Sequence, residues 1–317
     1  MTTHRENAKA LAVVLDAPGS IGLDHLALDA PGPDDVVVDI AVSGISTGTE
    51  KLLVTGEMPP FPGMGYPLVP GYESVGRVSR AGGGLAEGAT VFVPGARCFG
   101  PVRGLFGATA SQLVVPAARV VPVDAALGDD AVLIALAATA YHALHDRGAL
   151  ALPDLIIGHG VLGRLIARLS VALGGAPVVH EIVAARRAGA LGYTVEGPGE
   201  GSLKGLARVL DASGADAAVD MAVSRLAKGG EIVLAGFYAK PVSFAFPPAF
   251  IAEARLRISA EFTPADLAAV TAMASDGRLR LDGLITHSAP AADAARAYRT
   301  AFDDPSCLKM TIDWRAS

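Results

Sequence analysis

The run GHGVLG sets glycines at positions 158, 160 and 163. That spacing lets a chain turn tightly and bring its amides against a pyrophosphate, so the chemistry it suggests is dinucleotide binding. The motif needs a strand before it and a helix after it, and both are written here. DLII (Asp154 to Ile157) reads as an apolar strand, and VLGRLIARL carries a helical period. Gly158 and Gly160 would form the turn, Val161 and Leu162 would open the helix whose amide end favours phosphate, and Gly163 would let that helix pack on its strand. The next apolar strand, APVVHE, ends at Glu181, about 20 residues past the first glycine. A carboxylate there can accept from both ribose hydroxyls and repels a 2′-phosphate, which favours NAD over NADP. Arg186 and Arg187 follow closely. They could bind a 2′-phosphate or lie on the solvated face of a following helix. His159 occupies a variable position in the turn, where backbone makes the contacts, and is not read as catalytic.

The elements that must hold such a site are consistent with the composition. At 317 residues the chain can form two domains, and with 51% apolar and 18% charged residues it is globular, with buried parallel strands expected. A net charge of -6 gives no electrostatic footprint for nucleic acid. Two cysteines, Cys98 and Cys307, can form neither a disulfide framework nor a four-sulfur zinc lobe, and are expected to stay reduced in a cytoplasmic setting. The polar start MTTHRENAKA lacks the apolar stretch of a signal peptide. The longest apolar run, Ala131 to Leu144, is shorter than the roughly 20 residues that span a bilayer and reads as a buried helix. A mean hydropathy of +0.42 leaves room for contact with a membrane surface.

The first third is written in short strands punctuated by Gly, Pro and Asp, as in a small barrel or rolled sheet. From about residue 128 apolar strands alternate with helical patterns, ARRAGALGY among them, which is the signature of a doubly wound parallel sheet. The ending is mixed, with a helix at AADAARAYRTAF and a strand near CLKMTIDW. The expected organisation is a β-rich domain over 1–137 with 258–317, and a Rossmann cofactor domain over 138–257.

With this order, and with SGISTGTE, GYESVG, ATAYHAL, GHGVLG and KGGEIVLAGFY in place, the chain resembles the medium-chain dehydrogenase/reductase superfamily with its GroES-like first domain. More narrowly, SGISTGTE, GHGVLGRL, HEIVAARRAGA and LDGLITHSAPAADAARAY with CLKMTIDW resemble the bacteriochlorophyllide a dehydrogenase family. The resemblance implies NAD-dependent oxidation of a ring A 1-hydroxyethyl group to an acetyl group, with a tetrapyrrole as substrate. Closed dimers are common in the superfamily, so a homodimer is the starting expectation for assembly.

Zinc-dependent members of the superfamily carry a cysteine where this chain has Ser46 and a histidine where it has Tyr72. Hydroxyls are poor zinc ligands at neutral pH, so no metal is expected, and a site remade from His142 or His145 is the less favoured option. The alcohol must then be oriented and deprotonated by side chains. Tyr72 is the candidate for holding the substrate oxygen. Ser46 and Thr49 are candidates for passing the proton, and Glu50 or Glu73 for accepting it. Each has an ordinary structural role as well: capping a turn, satisfying backbone amides, or filling the core. Phe61, Met64, Tyr66, Phe99 and Phe106 could form an apolar wall for a flat pigment, with Arg97 and Arg103 near its carboxylate; a plain interface loop is the alternative. Two other functions compete, a zinc-less NADP-dependent quinone or enone reductase and a non-catalytic nucleotide-binding pigment carrier.

Overall fold

A computed structural model describes residues 8–60, 62–201, 203–238 and 240–317. Contacts divide the chain into two compact units, Met1–Leu133 with Ile285–Ser317, and Ile134–Leu284.

The first unit is built on strand Asp35–Ile45. Its opening half alternates, with Val36, Val38 and Ile40 buried and Asp39 exposed, the pattern of a sheet with one face on the core. From Val42 to Ile45 every residue is buried. One edge of this strand pairs with Ser74–Arg80, and the other is shared by Gln112–Pro116 and Lys309–Asp313. Around it lies a seven-stranded sheet that also holds Ile285–Pro290, Thr90–Val93 and Val121–Pro122. Leu68–Pro70 pairs in parallel with Arg103–Leu105 as a small separate sheet. The C-terminal helix Ala294–Asp303 contributes Ala297, Tyr298 and Ala301 to the same core. Gly44 can only be glycine, because a Cβ there would meet Glu73 Oε2 and lie 3.0 Å from Lys309 Cε.

The second unit is a six-stranded parallel sheet in the order Thr194–Glu196, Val178–His180, Leu155–Ile157, Leu206–Asp211, Leu226–Leu234, Arg255–Ile258. The order reverses beside Leu155–Ile157, which is where doubly wound sheets open a crevice for ligands. Helices Val161–Ala172, Ala218–Val223, Phe246–Ile251 and Pro264–Ser275 accompany it. The apolar run read as a buried helix forms Ile134–Ala143, most of it inaccessible to solvent. Among the described residues no helix is long and apolar enough to cross a membrane.

One predicted helix is absent. Where ARRAGALGY suggests a crossover helix, the chain makes only a short 3-10 turn at Ala184–Arg186 before the strand at Thr194. Gly189 and Gly192 take φ of 86° and 82°, which breaks a helical run. The carbonyls that a helix would satisfy internally are taken by Arg164, whose guanidinium reaches those of Arg186 and Ala188 at 2.8 Å each and Gly189 at 3.3 Å.

Gly163 tests the packing of the turn against its strand, since a Cβ there would run into the Gly158 carbonyl, 2.9 Å from its carbon. Gly163→Ala is expected to cost about 1–3 kcal/mol, read as a lowered midpoint in urea unfolding. A midpoint equal to the parent's would show that the turn has room to spare.

Candidate active site

Three hydroxyls converge where strand Asp35–Ile45 ends and helix Thr49–Thr55 begins. Ser46, 6% exposed, accepts hydrogen bonds from Tyr72 at 2.8 Å and from Thr49 at 3.1 Å, and Thr49 lies 3.5 Å from the Tyr72 oxygen. A hydroxyl has two acceptor positions and one donor and its hydrogen rotates, so the bond between Ser46 and Thr49 can also run from Ser46 to Thr49, which leaves Ser46 an acceptor position for a substrate hydroxyl. Tyr72 is half-buried, its ring edge-on to Phe106 with centroids 5.5 Å apart. Burial, then the neighbouring Glu73 charge, push its phenol well above the ordinary range, so Tyr72 stays protonated and acts as a hydrogen-bond donor. Thr49 is partly exposed and next to the exposed Gly48, which connects the trio to solvent.

Both candidate carboxyls lie beneath this trio. Glu50, 1% exposed, accepts from the Ser46 N–H at 3.1 Å and from the Tyr298 hydroxyl at 2.6 Å. Burial lifts its carboxyl from 4.5 to about 7, against the pull of those two hydrogen bonds. Glu73 is fully buried and ion-paired with Lys309, whose ammonium also donates to the Ile45 carbonyl at 3.1 Å. Burial raises the Glu73 carboxyl too, and Lys309 opposes the rise. Among the described residues no hydrogen bond joins either carboxyl to the hydroxyl of Ser46, Thr49 or Tyr72. The carboxyls therefore hold backbone and counterion, and the hydroxyls form a chain of their own.

The donor set does not suit a divalent metal. Its oxygens are neutral hydroxyls bonded to one another, and of the two carboxyls beneath them Glu73 already has an ammonium while Glu50 holds a backbone N–H and the Tyr298 hydroxyl. In the second unit His142 is turned to Asp266 at 2.8 Å and His145 to the Tyr141 carbonyl at 3.0 Å. Asp266 is itself engaged as part of the capping box that starts helix Pro264–Ser275.

The proposed apolar wall is only partly assembled. Met64, Tyr66 and Phe106 are half-buried, with part of each side chain facing outward. Tyr66 is anchored through its hydroxyl to the Leu53 carbonyl at 2.5 Å. Phe99 is different: at 4% exposure it is a core residue, and it can only support the wall from behind. Phe61 lies outside the described residues. Arg97 and Arg103 are exposed, and Arg103 reaches the Tyr66 carbonyl at 3.5 Å.

The glycine turn of the second unit has the form a dinucleotide needs. Gly158 sits at φ 97°, and Gly160 begins helix Val161–Ala172 with no side chain capping it. Nothing lies within 4 Å of where a Gly160 Cβ would stand, so the amide end of the helix is open for a pyrophosphate. Val161 and Leu162 form the first turn, and Gly163 packs on the strand. Glu181, 5% exposed, accepts from the His159 N–H at 2.8 Å and the Val183 N–H at 2.7 Å, one bond to each oxygen. Each oxygen keeps acceptor capacity for a ribose hydroxyl. Arg186 offers its backbone carbonyl to the His159 ring at 2.6 Å, and Arg187 bonds the Glu181 carbonyl at 2.9 Å. His159 is buried, and that holds its imidazole down to about 4, neutral at physiological pH and suited to anchoring the loop.

Tyr298 and Lys309 escape sequence reasoning. They reach the site from 248 and 264 positions away, and no local motif points to them.

Glu50 gives a pH signature. Between 4.5 and about 7 the folded state keeps a proton that the unfolded chain has lost, so stability falls as pH rises through this window. The slope from one such group reaches about 1.4 kcal/mol per pH unit. Glu50→Gln is expected to flatten it, measured as unfolding free energy against pH. Parallel curves for parent and variant would place the titration elsewhere.

The alcohol dehydrogenase GroES-like domain family matches residues 32–125. A protein of Cereibacter sphaeroides named 2-desacetyl-2-hydroxyethyl bacteriochlorophyllide A dehydrogenase is 55% identical over 98% of this chain and 99% of its own length. The protein of that name from Rhodobacter capsulatus is 57% identical over 96% of this chain and 98% of its own. An alcohol dehydrogenase of Escherichia coli CFT073, solved with NADH, covers 97% of this chain and 100% of that one with a TM-score of 0.80 at 20% identity, a likeness of fold. With more than half of its residues shared along nearly the whole of two such proteins, the chain belongs to the 2-desacetyl-2-hydroxyethyl bacteriochlorophyllide A dehydrogenase family of the medium-chain dehydrogenases/reductases.

Proposed function

We propose that the protein oxidises the ring A 1-hydroxyethyl group of a bacteriochlorophyllide to an acetyl group with NAD. The observation that carries this reading is the 55% identity over 98% of the chain to a relative named 2-desacetyl-2-hydroxyethyl bacteriochlorophyllide A dehydrogenase. The hydroxyl trio supplies the chemistry the reaction needs.

Oxidation of a secondary alcohol removes a hydride from carbon and a proton from oxygen. Bound NAD supplies the hydride acceptor. Gly158, Gly160, Val161, Leu162 and Gly163 would hold its pyrophosphate at the helix end, and Glu181 its ribose hydroxyls, with Arg186 at the adenosine side. Glu181 would also disfavour a 2′-phosphate, which is the basis for choosing NAD over NADP.

On the substrate side, Tyr72 and Ser46 orient the alcohol oxygen. With the Thr49 hydroxyl turned to water, Ser46 donates to Thr49 and its freed lone pair accepts the alcohol O–H. As the hydride leaves, the alcohol proton passes to Ser46 Oγ, the Ser46 proton to Thr49, and the Thr49 proton to water. Each hydroxyl ends as it began, with one proton released. The alcohol carbon adjoins a conjugated macrocycle, which can spread positive charge developing there and lessens the need for a Lewis acid. Met64, Tyr66 and Phe106 would face the ring.

This reading places the enzyme in the cytoplasm as a homodimer. Phe246, Phe250, Ile251 and Ile258 are 66%, 69%, 75% and 74% exposed on a short stretch of the second unit. Strand Arg255–Ile258 ends the order of its sheet, with Leu226–Leu234 as its neighbour among the described residues. An apolar unpaired edge of this kind invites another strand. Sedimentation equilibrium is expected to return a dimer, reduced to monomer by Ile258→Lys; a monomeric parent that instead cosediments with lipid vesicles would assign the patch to a membrane surface.

The central assay incubates the protein with hydroxyethyl bacteriochlorophyllide and either NAD or NADP and follows the absorption shift as the acetyl group joins the conjugation. The shift is expected with NAD, and its absence with both cofactors would sink the proposal. Ser46→Ala and Thr49→Val are each expected to lower kcat by about 10²-fold, and Glu181→Arg to move preference toward NADP. Unchanged kcat in both hydroxyl variants would remove the relay.

A further inference from the structure

The peptide group joining Ile45 to Ser46 is held at both poles by buried side chains. Its oxygen accepts from Lys309 Nζ at 3.1 Å, and its N–H donates to Glu50 Oε1 at 3.1 Å. Behind each stands a partner: Glu73 is ion-paired with Lys309, and Tyr298 donates to the other Glu50 oxygen at 2.6 Å. All four side chains are 2% exposed or less. The peptide dipole thus lies with its negative end on a fixed ammonium and its positive end on a fixed carboxyl, the alignment electrostatics favours. Gly44 keeps the adjoining space clear for Glu73 and Lys309.

Both arms of this clamp end on one peptide plane, and Ser46 Oγ hangs from the next backbone atom. Rotating that plane would swing the hydroxyl away from Tyr72 and Thr49. Stability alone gives little reason for the arrangement, because well-packed apolar side chains in place of a buried ion pair are often neutral or stabilising. Orientation gives a stronger one, since a misplacement of about 1 Å can slow a reaction about 10²-fold.

We infer that Lys309 and Tyr298 are positioning residues for the dehydrogenation, fixing the Ile45–Ser46 peptide through a two-armed clamp with Glu73 and Glu50 and so aiming the Ser46 hydroxyl. The inference rests on the hydroxyl relay proposed above. The titratable groups meeting at this point are Glu50, Glu73, Tyr72, Tyr298 and Lys309, contributed by the Thr49–Thr55 helix, the segment after Leu68–Pro70, the C-terminal helix and the final strand.

Lys309→Met alone would strand a buried Glu73 charge, so the informative variants are the neutral pair Glu73→Gln with Lys309→Met, and Tyr298→Phe, which keeps the ring. Each is compared with the parent and combined with Ser46→Ala, with kcat, KM for NAD and circular dichroism measured on every protein. The clamp predicts folded variants with KM for NAD within about twofold of the parent, kcat lowered about 10- to 100-fold by either change, and less than about twofold further loss when either is added to Ser46→Ala. Parent-like kcat in the folded variants overturns the inference, as do losses that multiply with that of Ser46→Ala. If the charge-neutral pair does not fold, Tyr298→Phe and its combination decide alone. Ser46→Ala at the parent rate is a separate outcome: it removes the relay itself, and the clamp with it.

Discussion

A buried ammonium between a buried carboxylate and a backbone carbonyl is the constraint around which the substrate side of this protein is arranged. Taking Glu73 and Lys309 out of water costs several kcal/mol per ion unless they pair closely, and the structure closes over them to make the pairing possible. The last strand, Lys309–Asp313, adds to the same edge of Asp35–Ile45 that Gln112–Pro116 uses further along, which delivers Lys309 under Ile45. Gly44 gives up its side chain so that the Glu73 carboxylate fits. Tyr298 follows from the same return of the chain, entering from helix Ala294–Asp303 to meet Glu50. The C-terminal 33 residues that rejoin the first unit, Ile285–Ser317, therefore complete its site as well as its core.

The charged groups are kept apart from the hydroxyls proposed to carry the proton. Ser46, Thr49 and Tyr72 are neutral hydroxyls, and burial keeps the Tyr72 phenol from ionising, so the trio can pass a proton without storing one. Glu73 carries charge and meets its counterion Lys309, while Glu50, its carboxyl raised to about 7, holds the Ser46 N–H and the Tyr298 hydroxyl. A metal would be poorly matched to this division, because its ligands would have to come from hydroxyls that are already donating to each other.

The sequence was most legible where structure is local. GHGVLG forms its turn because the strand, the turn glycines and the helix lie within about twenty residues, and each is written in its own period. Ser46, Thr49 and Tyr72 could be named from their motifs, and the structure brings their oxygens within 3.5 Å of one another. Legibility ended where tertiary contacts overrode local preference. ARRAGALGY has helical composition, but Arg164 takes the carbonyls a helix would need. Phe99 looks like its neighbours in an aromatic stretch, yet the fold turns it inward. Lys309 and Tyr298 had no local signal, since a lysine in an apolar strand shows its purpose only beside the carboxylate it neutralises.

Departure of the alcohol proton through a chain of hydroxyls is the step on which the proposed mechanism depends. A proton inventory on kcat/KM, measured in mixtures of light and heavy water with hydroxyethyl bacteriochlorophyllide as substrate, tests it most directly. Several protons shifting together along Ser46 and Thr49 predict a curved inventory that becomes linear in Thr49→Val. A linear inventory in the parent, unaltered by Thr49→Val, would mean that a single group takes the proton and that the hydroxyl chain does not carry it.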